Sequence, residues 1–178
     1  MSVARTDTAS LGTNATAGTL EVRAALLDDL DIVIALRIAL LEEHASNPVY
    51  GRLRPDAARR AQRLFAAQLG APNEVTFLAL DTGSGRAAVG ILRCIETIGS
   101  PLLFPEKYGY VSSVFVRPEH RREGVLRALL AEAEAWCRGR GLSEMRLHNV
   151  SDYATAGLAW QALGFDVVEQ LRLRPLTG

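Results

Sequence analysis

The sequence predicts an α/β domain in which a mixed sheet carries helices on both faces. Three observations predict it. Short segments of alternating apolar residues give way to segments with apolar residues at helical spacing, and back again, the pattern of strands and helices layered on one core. Clusters of Gly, Pro, Asp and Ser fall between those segments, where turns are needed. The 178 residues, 48% hydrophobic and 22% charged, suffice for one such core and not for two ordinary ones.

The elements follow in order. Residues 1–18 are rich in Ser, Thr, Ala and Gly without periodicity and predict a mobile tail, which leaves 19–178 as the single domain. Thr19 to Ala25 alternates as a strand. Asp28 or Asp29 then caps a helix whose apolar positions are Leu30, Val33, Ile34, Ile38 and Leu41. After a loop with Asn47, Pro48 and Gly51, Pro55 and Asp56 open a second helix that Gly70 stops. Val75 to Leu80 and Ala87 to Ile95 read as an antiparallel hairpin around the turn cluster Asp81 to Gly85. A loop with Pro101 and Pro105 leads to a strand at Tyr108 to Val116, and a helix from about Gly124 to Arg138 is ended by Gly139 and Gly141. Met145 to Val150 is the next strand. Ser151 or Asp152 caps a helix with Ala156, Ala159, Trp160 and Leu163 on one face, and Phe165 to Leu173 supplies the final strand. No internal repeat interrupts this order.

Composition narrows the function. Lys plus Arg and Asp plus Glu both total 20, so no basic excess is present to hold nucleic acid through its phosphates. No run approaches the roughly 18 apolar residues that span a bilayer, and Met1 to Thr19 contains no apolar secretion core, so neither membrane nor export is expected. Cys94 and Cys137 have neither metal-site spacing nor the numbers of a disulfide framework, which fits a reducing, cytoplasmic setting with no metal.

The chemistry-bearing stretch is Val116-Arg117-Pro118-Glu119-His120-Arg121-Arg122-Glu123-Gly124-Val125-Leu126-Arg127: an apolar strand, a Pro stop, a basic turn with Gly, then a helix. Free N–H groups at a helix start and the positive end of its dipole bind phosphate oxygens, and a glycine admits the ligand close to the backbone. An ordinary tight connection fits the same local pattern.

Two motifs in order add to this. The turn resembles the pyrophosphate loop of the GNAT acetyltransferases, in which Arg or Gln, two residues, Gly, one residue, then Gly or Ala fall on Arg121, Gly124 and Leu126. Ala156, Trp160, Gly164 and Phe165 resemble the later helix and turn of that family. The resemblance covers roughly Thr19 to Leu173, with specific motifs only from Val114 onward. It implies the GNAT fold, a mixed and mostly antiparallel sheet, and use of acetyl-CoA as co-substrate. It implies, too, a cofactor site of Val114, Phe115, Val116, Arg121, Arg122, Glu123, Gly124, Val125, Leu126 and Arg127. Backbone N–H groups of Val114 to Val116 would meet the oxyanion, where the strand splays from its neighbour and opens an edge for the pantetheine arm. The acceptor it implies is a small-molecule amine or a peptide N-terminus, and a homodimer is left open.

The sequence also departs from the family. Leu126 replaces a small residue, and its stripe with Leu129, Leu130, Ala133 and Cys137 assigns it to the core. An alkyl amine with a pKa of about 10.4 is neutral to roughly one part in a thousand at pH 7, so attack on a thioester is helped by a base. The family often places a carboxylate for this on the strand where this chain reads Val111-Ser112-Ser113-Val114. The remaining candidates are Glu96, and Glu42 or Glu43 at the end of the first helix, each of which equally reads as a solvated surface carboxylate. A Tyr on the late helix often protonates the leaving thiolate, and Trp160 stands there. Tyr153, Tyr108, Tyr110 and His148 are substitutes, each also readable as an ordinary partly buried residue. Acceptor contacts are expected from residues 42–54, with His44 and Tyr50, and from residues 97–107. Arg52, Arg54, Arg59, Arg60 and Arg63 would hold an acidic group on the acceptor or simply form a solvated helix face. Against the enzyme stand an acyl-CoA-binding module that lost its catalytic side chains and, far behind for want of a Gly-x-Gly-x-x-Gly or Walker pattern, a generic nucleotide-binding domain.

Overall fold

The hairpin at the centre of the sheet is closed by one side chain. The carboxylate of Asp81 accepts from the Gly83 N–H at 2.9 Å and from Ser84 Oγ at 2.7 Å, and Gly85 and Arg86 take left-handed conformations to turn the chain back. In the computed structural model, which describes residues 20–150 and 154–176, this hairpin joins β2 (Glu74–Asp81) to β3 (Ala87–Ile98). Around it lie β1 (Leu20–Ala24), α1 (Leu30–Glu43), α2 (Ala57–Leu69), β4 (Lys107–Val116), α3 (Val125–Gly139), β5 (Met145–Leu147) and α4 (Ala154–Ala162). The strands form one sheet in chain order, antiparallel from β1 to β4 and parallel between β4 and β5.

Each face of the sheet has its own core, because successive side chains on a strand point to opposite sides. On one face Leu78, Leu80, Ile91 and Phe115 pack with Val33 and Leu36 of α1 and Ala61 and Phe65 of α2. Arg37 stacks over the Phe65 ring at 3.6 Å and donates to Gln68 at 2.5 Å, tying the two helices together; burial pushes its guanidinium down to about 10. On the other face Phe77, Ala79, Val89, Leu92, Cys94 and Val111 pack with Val125, Leu129, Leu130, Ala133 and Cys137 of α3. Helices therefore cover both faces, as the sequence predicts.

Several local expectations are revised. Asp29 occupies the cap position of α1, but its carboxylate accepts from both Arg23 guanidinium nitrogens at 2.7 Å and from the Leu26 N–H at 2.8 Å, so it fixes the β1–α1 corner rather than capping the helix. The buried side chains of α3 are Val125, Leu129, Leu130, Ala133 and Cys137; Leu126, one turn before Leu130, is only half-buried. On α4, Ala156, Trp160 and Leu163 share the inner side, whereas Ala159 is exposed. β5 is only three residues long, and the strand expected at Phe165 to Leu173 does not form. Alternation alone does not make a strand: an edge must satisfy its N–H and C=O groups, and Val167, Val168 and Leu171 lie exposed beyond a short β5. The expected N-terminal tail, the Ser151 or Asp152 cap and Tyr153 fall outside the described residues. Among the described residues no helix is long and apolar enough to cross a membrane.

Candidate active site

The site is built around the second half of β4. There Leu92 of β3 faces two residues, Ser113 and Val114, because Arg93 pairs with Ser112 and Ile91 with Phe115. Ser113 adopts φ +53 to make this bulge. On the other side, β5 pairs with β4 only through Gly109, Tyr110 and Val111. Beyond Val111 no strand among the described residues pairs with that edge of β4. The Arg117 N–H donates to the Val89 carbonyl of β3 at 2.9 Å, so by alternation the amides of Val114 and Val116 face the open side. The Val116 carbonyl indeed accepts from Arg121 Nε, at 3.0 Å, on that side.

β4 runs directly into the phosphate-binding turn. A short turn at Pro118–His120 leads to Arg121, then to two left-handed residues, Arg122 at φ +67 and Gly124 at φ +86, and Gly124 is the N-cap of α3. The first amides of α3 have no intrahelical partner, and the helix dipole places its positive end among them. A Cβ built on Gly124 would meet nothing within 4 Å, so the approach to these amides is clear. At Gly90 the reverse holds: a Cβ would lie 2.9 Å from Val125 Cγ1, and its absence lets the first turn of α3 sit against β3. The residues present thus fit a pyrophosphate.

The proposed carboxylates are held by cations. Arg121 grips both oxygens of Glu43, at 2.8 and 2.6 Å, which links the end of α1 to the turn. Glu96 accepts from Lys107 at 2.6 Å and from Arg140 at 2.8 Å, and these bonds, Lys107 first, hold its carboxyl below the usual range. Arg140 lies past the C-terminus of α3, whose 15 residues span about 22 Å from Gly124. Glu42 is exposed. The arginines near α2 are mutually satisfied, since Arg54, Arg59 and Arg60 all bond Asp56.

On the α1 and α2 side of the splay, Tyr110 of β4 meets His148, one residue past β5, with the phenol oxygen 2.8 Å from Nδ1. Burial, and then Tyr50 and Tyr108 nearby, raise the Tyr110 phenol above its ordinary range. Tyr50 belongs to the loop after α1 and has His44 beside it, ring centroids 6.3 Å apart.

The model of the acetyltransferase (GNAT) family matches residues 38–165. The chain belongs to that family. Solved structures repeat the fold at low identity. A predicted acetyltransferase with acetyl-CoA from Clostridium acetobutylicum is 17% identical with TM-score 0.70, over 88% of this chain and 96% of that one. A GCN5-related N-acetyltransferase from Ralstonia eutropha JMP134 is 21% identical, TM-score 0.70, over 90% and 100%. The aminoglycoside antibiotic 6'-N-acetyltransferase AAC(6')-Ih from Acinetobacter baumannii is 18% identical, TM-score 0.71, over 90% and 100%. No curated protein matches the chain by sequence.

In this GNAT acetyltransferase Val114, Phe115 and Val116 end β4 and residues 121–127 form the turn and the start of α3, with the Phe115 and Val125 side chains in the two cores, and Glu96 lies at the far end of α3. What sequence reading missed is the pairing of Tyr110 with His148. Both residues were visible as candidates, but 38 positions separate them, and only the parallel register of β4 and β5 joins them.

Proposed function

We propose that this GNAT enzyme transfers acetyl from acetyl-CoA directly to a primary amine. The observation that carries the reading is the continuity of the open β4 edge with the turn before α3. A ligand with a pyrophosphate and a long amide-bearing arm finds free helix amides at one end and strand amides along the other. The Val114 and Val116 N–H groups point where the thioester oxygen would lie and stabilise the charge that develops there. Arg122 and Arg127 are exposed at the turn and add positive charge around the phosphates. Arg121 is held by Glu43, and it serves the same ligand by exchanging that carboxylate for a phosphate.

The acceptor side is the face of Tyr110, Tyr50 and His148. The aminoglycoside acetyltransferase among the structural neighbours supports a small-molecule amine. A cytoplasmic setting belongs to the same proposal. The test is a pair of measurements: CoA should raise the melting temperature where NAD does not, and acetyl-CoA with a panel of primary amines should release CoA thiol. Binding without thiol release from any amine would leave an acyl-CoA-binding module in place of the enzyme.

A further inference from the structure

We propose that His148 is the proton acceptor of the reaction and Tyr110 the residue that positions it, an inference that rests on the acetyl-transfer reading above. The pair lies where the sheet opens. Gly109, Tyr110 and Val111 pair with Met145, Arg146 and Leu147, and His148 is the first residue after that ladder ends. Continuing the register sets His148 level with Ser112, two residues short of Val114, which is about 7 Å along a strand. One imidazole therefore stands between the amine face and the amides that meet the thioester oxygen.

The proposed tautomer is the one in which Nδ1 carries the hydrogen. With the Tyr110 oxygen accepting from Nδ1–H at 2.8 Å, the lone pair remains on Nε2. Burial raises the Tyr110 phenol above its ordinary range, so it stays neutral, and the tilted rings, 5.6 Å apart, keep the imidazole turned. The groups around the pair are Tyr108 on β4, Arg146 on β5, stacked 4.0 Å over the Tyr108 ring, Tyr50 of the loop after α1, and His44 behind it. Among the described residues His148 forms no ion pair with a carboxylate. It is exposed, and so is reachable by an acceptor.

His148 Nε2 takes one proton from the alkylammonium acceptor, leaving a neutral amine that attacks the thioester carbon. The C–N bond forms, the C–S bond breaks, and the second proton lost by nitrogen passes to the departing thiolate. The imidazolium then returns its proton to solvent.

The experiment measures kcat and kcat/KM between about pH 5.5 and 9 with acetyl-CoA and the best of spermidine, neamine and an alanine-ended peptide, alongside the CoA-induced melting shift. His148→Gln should lose about 10²-fold in kcat, keep the melting shift, and lose the acidic limb expected of the wild type. Free imidazole should restore part of the rate to His148→Ala, which a merely structural role would not allow. Tyr110→Phe should lose about tenfold and move the limb along the pH axis. A His148→Gln enzyme within threefold of wild type and with the same limb overturns the proposal. A wild type that binds CoA yet releases none from any amine removes the acetyl-transfer reading itself, and the inference falls with it.

Discussion

In the proposed reaction the turn before α3 holds one substrate and the amine face beside β5 the other, and the two are made of different material. The turn is a contiguous run, residues 121–127, that works through backbone amides and needs left-handed conformations at Arg122 and Gly124. The amine face collects Tyr110 from β4, His148 from beyond β5 and Tyr50 from the loop after α1. Backbone groups are the same in every residue, so a site made of them depends on local conformation and leaves a short motif in the sequence. A site made of side chains depends on which strands lie side by side, and its residue types are free to change with the chemistry. The family's carboxylate and tyrosine are absent from their usual places in this chain, while its phosphate turn is present.

The largest effect should come from removing a backbone donor where the two regions meet. Proline at position 114 deletes the amide that faces the open edge without breaking the ladder to β3, because that amide lies on the unpaired side. The change is best made in a Ser113→Gly background, since a residue at positive φ before proline is tolerated best as glycine. Relative to Ser113→Gly alone, the added Val114→Pro change should lower kcat about 10²- to 10³-fold, the cost of an oxyanion donor. CoA affinity should hold. If affinity falls as far as kcat, that amide binds the pantetheine arm rather than the oxyanion.

Next is the turn itself. Gly124→Leu forces a branched side chain into a conformation that costs about 1–2 kcal/mol and into the open space through which phosphate oxygens reach the amides. Losing one or two charge-assisted bonds, about 1.5–3 kcal/mol each, weakens CoA about 10- to 10⁴-fold. Gly124→Ala separates the causes, since it carries the strain with little bulk. A melting shift with CoA equal to wild type in Gly124→Leu would show that the phosphates sit elsewhere.

The sequence carried the scaffold better than the site's side chains. Turn chemistry at Asp81 to Gly85, the helix stop at Gly70 and the apolar runs of β2 and β4 are local, and all appear where expected. The final strand failed because its pattern, Val167 through Leu173, says nothing of whether a partner edge exists. Leu126 shares helical spacing with buried Leu130, Ala133 and Cys137 yet is only half-buried in the first turn of α3, so spacing alone does not place it in the core. Neither the grip of Arg121 on Glu43 nor the clamp of Lys107 and Arg140 on Glu96 is written at short range, since 78 and 44 positions separate the farther partners.

Glu43 is the residue that joins the two regions, and its substitution sharpens the division between them. In Glu43→Gln the Arg121 guanidinium is released from a carboxylate for which a phosphate would compete. Both side chains are partly exposed, so the change is modest: KM for acetyl-CoA should fall severalfold at low salt, with the advantage fading as salt rises. The value of kcat should stay within about threefold, well short of the 10²-fold loss expected of a proton acceptor. A loss of that size would return Glu43 to the role that the sequence allowed it.

The smallest effect is expected at Trp160, where a family tyrosine often protonates the departing thiolate. Its ring meets Phe165 edge-on with centroids 5.4 Å apart, and its carbonyl accepts from the Phe165 N–H at 3.0 Å beside the left-handed Gly164. Those contacts close the end of α4, so the indole has a packing role whatever the chemistry. A thiol with a pKa of about 8.5 leaves as thiolate without full protonation, and the proton shed by the attacking nitrogen is close at hand. Trp160→Phe keeps an aromatic ring on Phe165 and should cost about 1 kcal/mol in stability. Its kcat should lie within about threefold of wild type, far from the 10²-fold scale of an acid–base residue. Trp160→Tyr should do no worse. Comparing the two at equal temperature below both melting points separates packing from proton transfer: if tyrosine restores or raises a rate that phenylalanine has lost, while their stabilities agree, then an acid at this position matters and the side-chain chemistry reaches further toward α4 than the Tyr110 and His148 face.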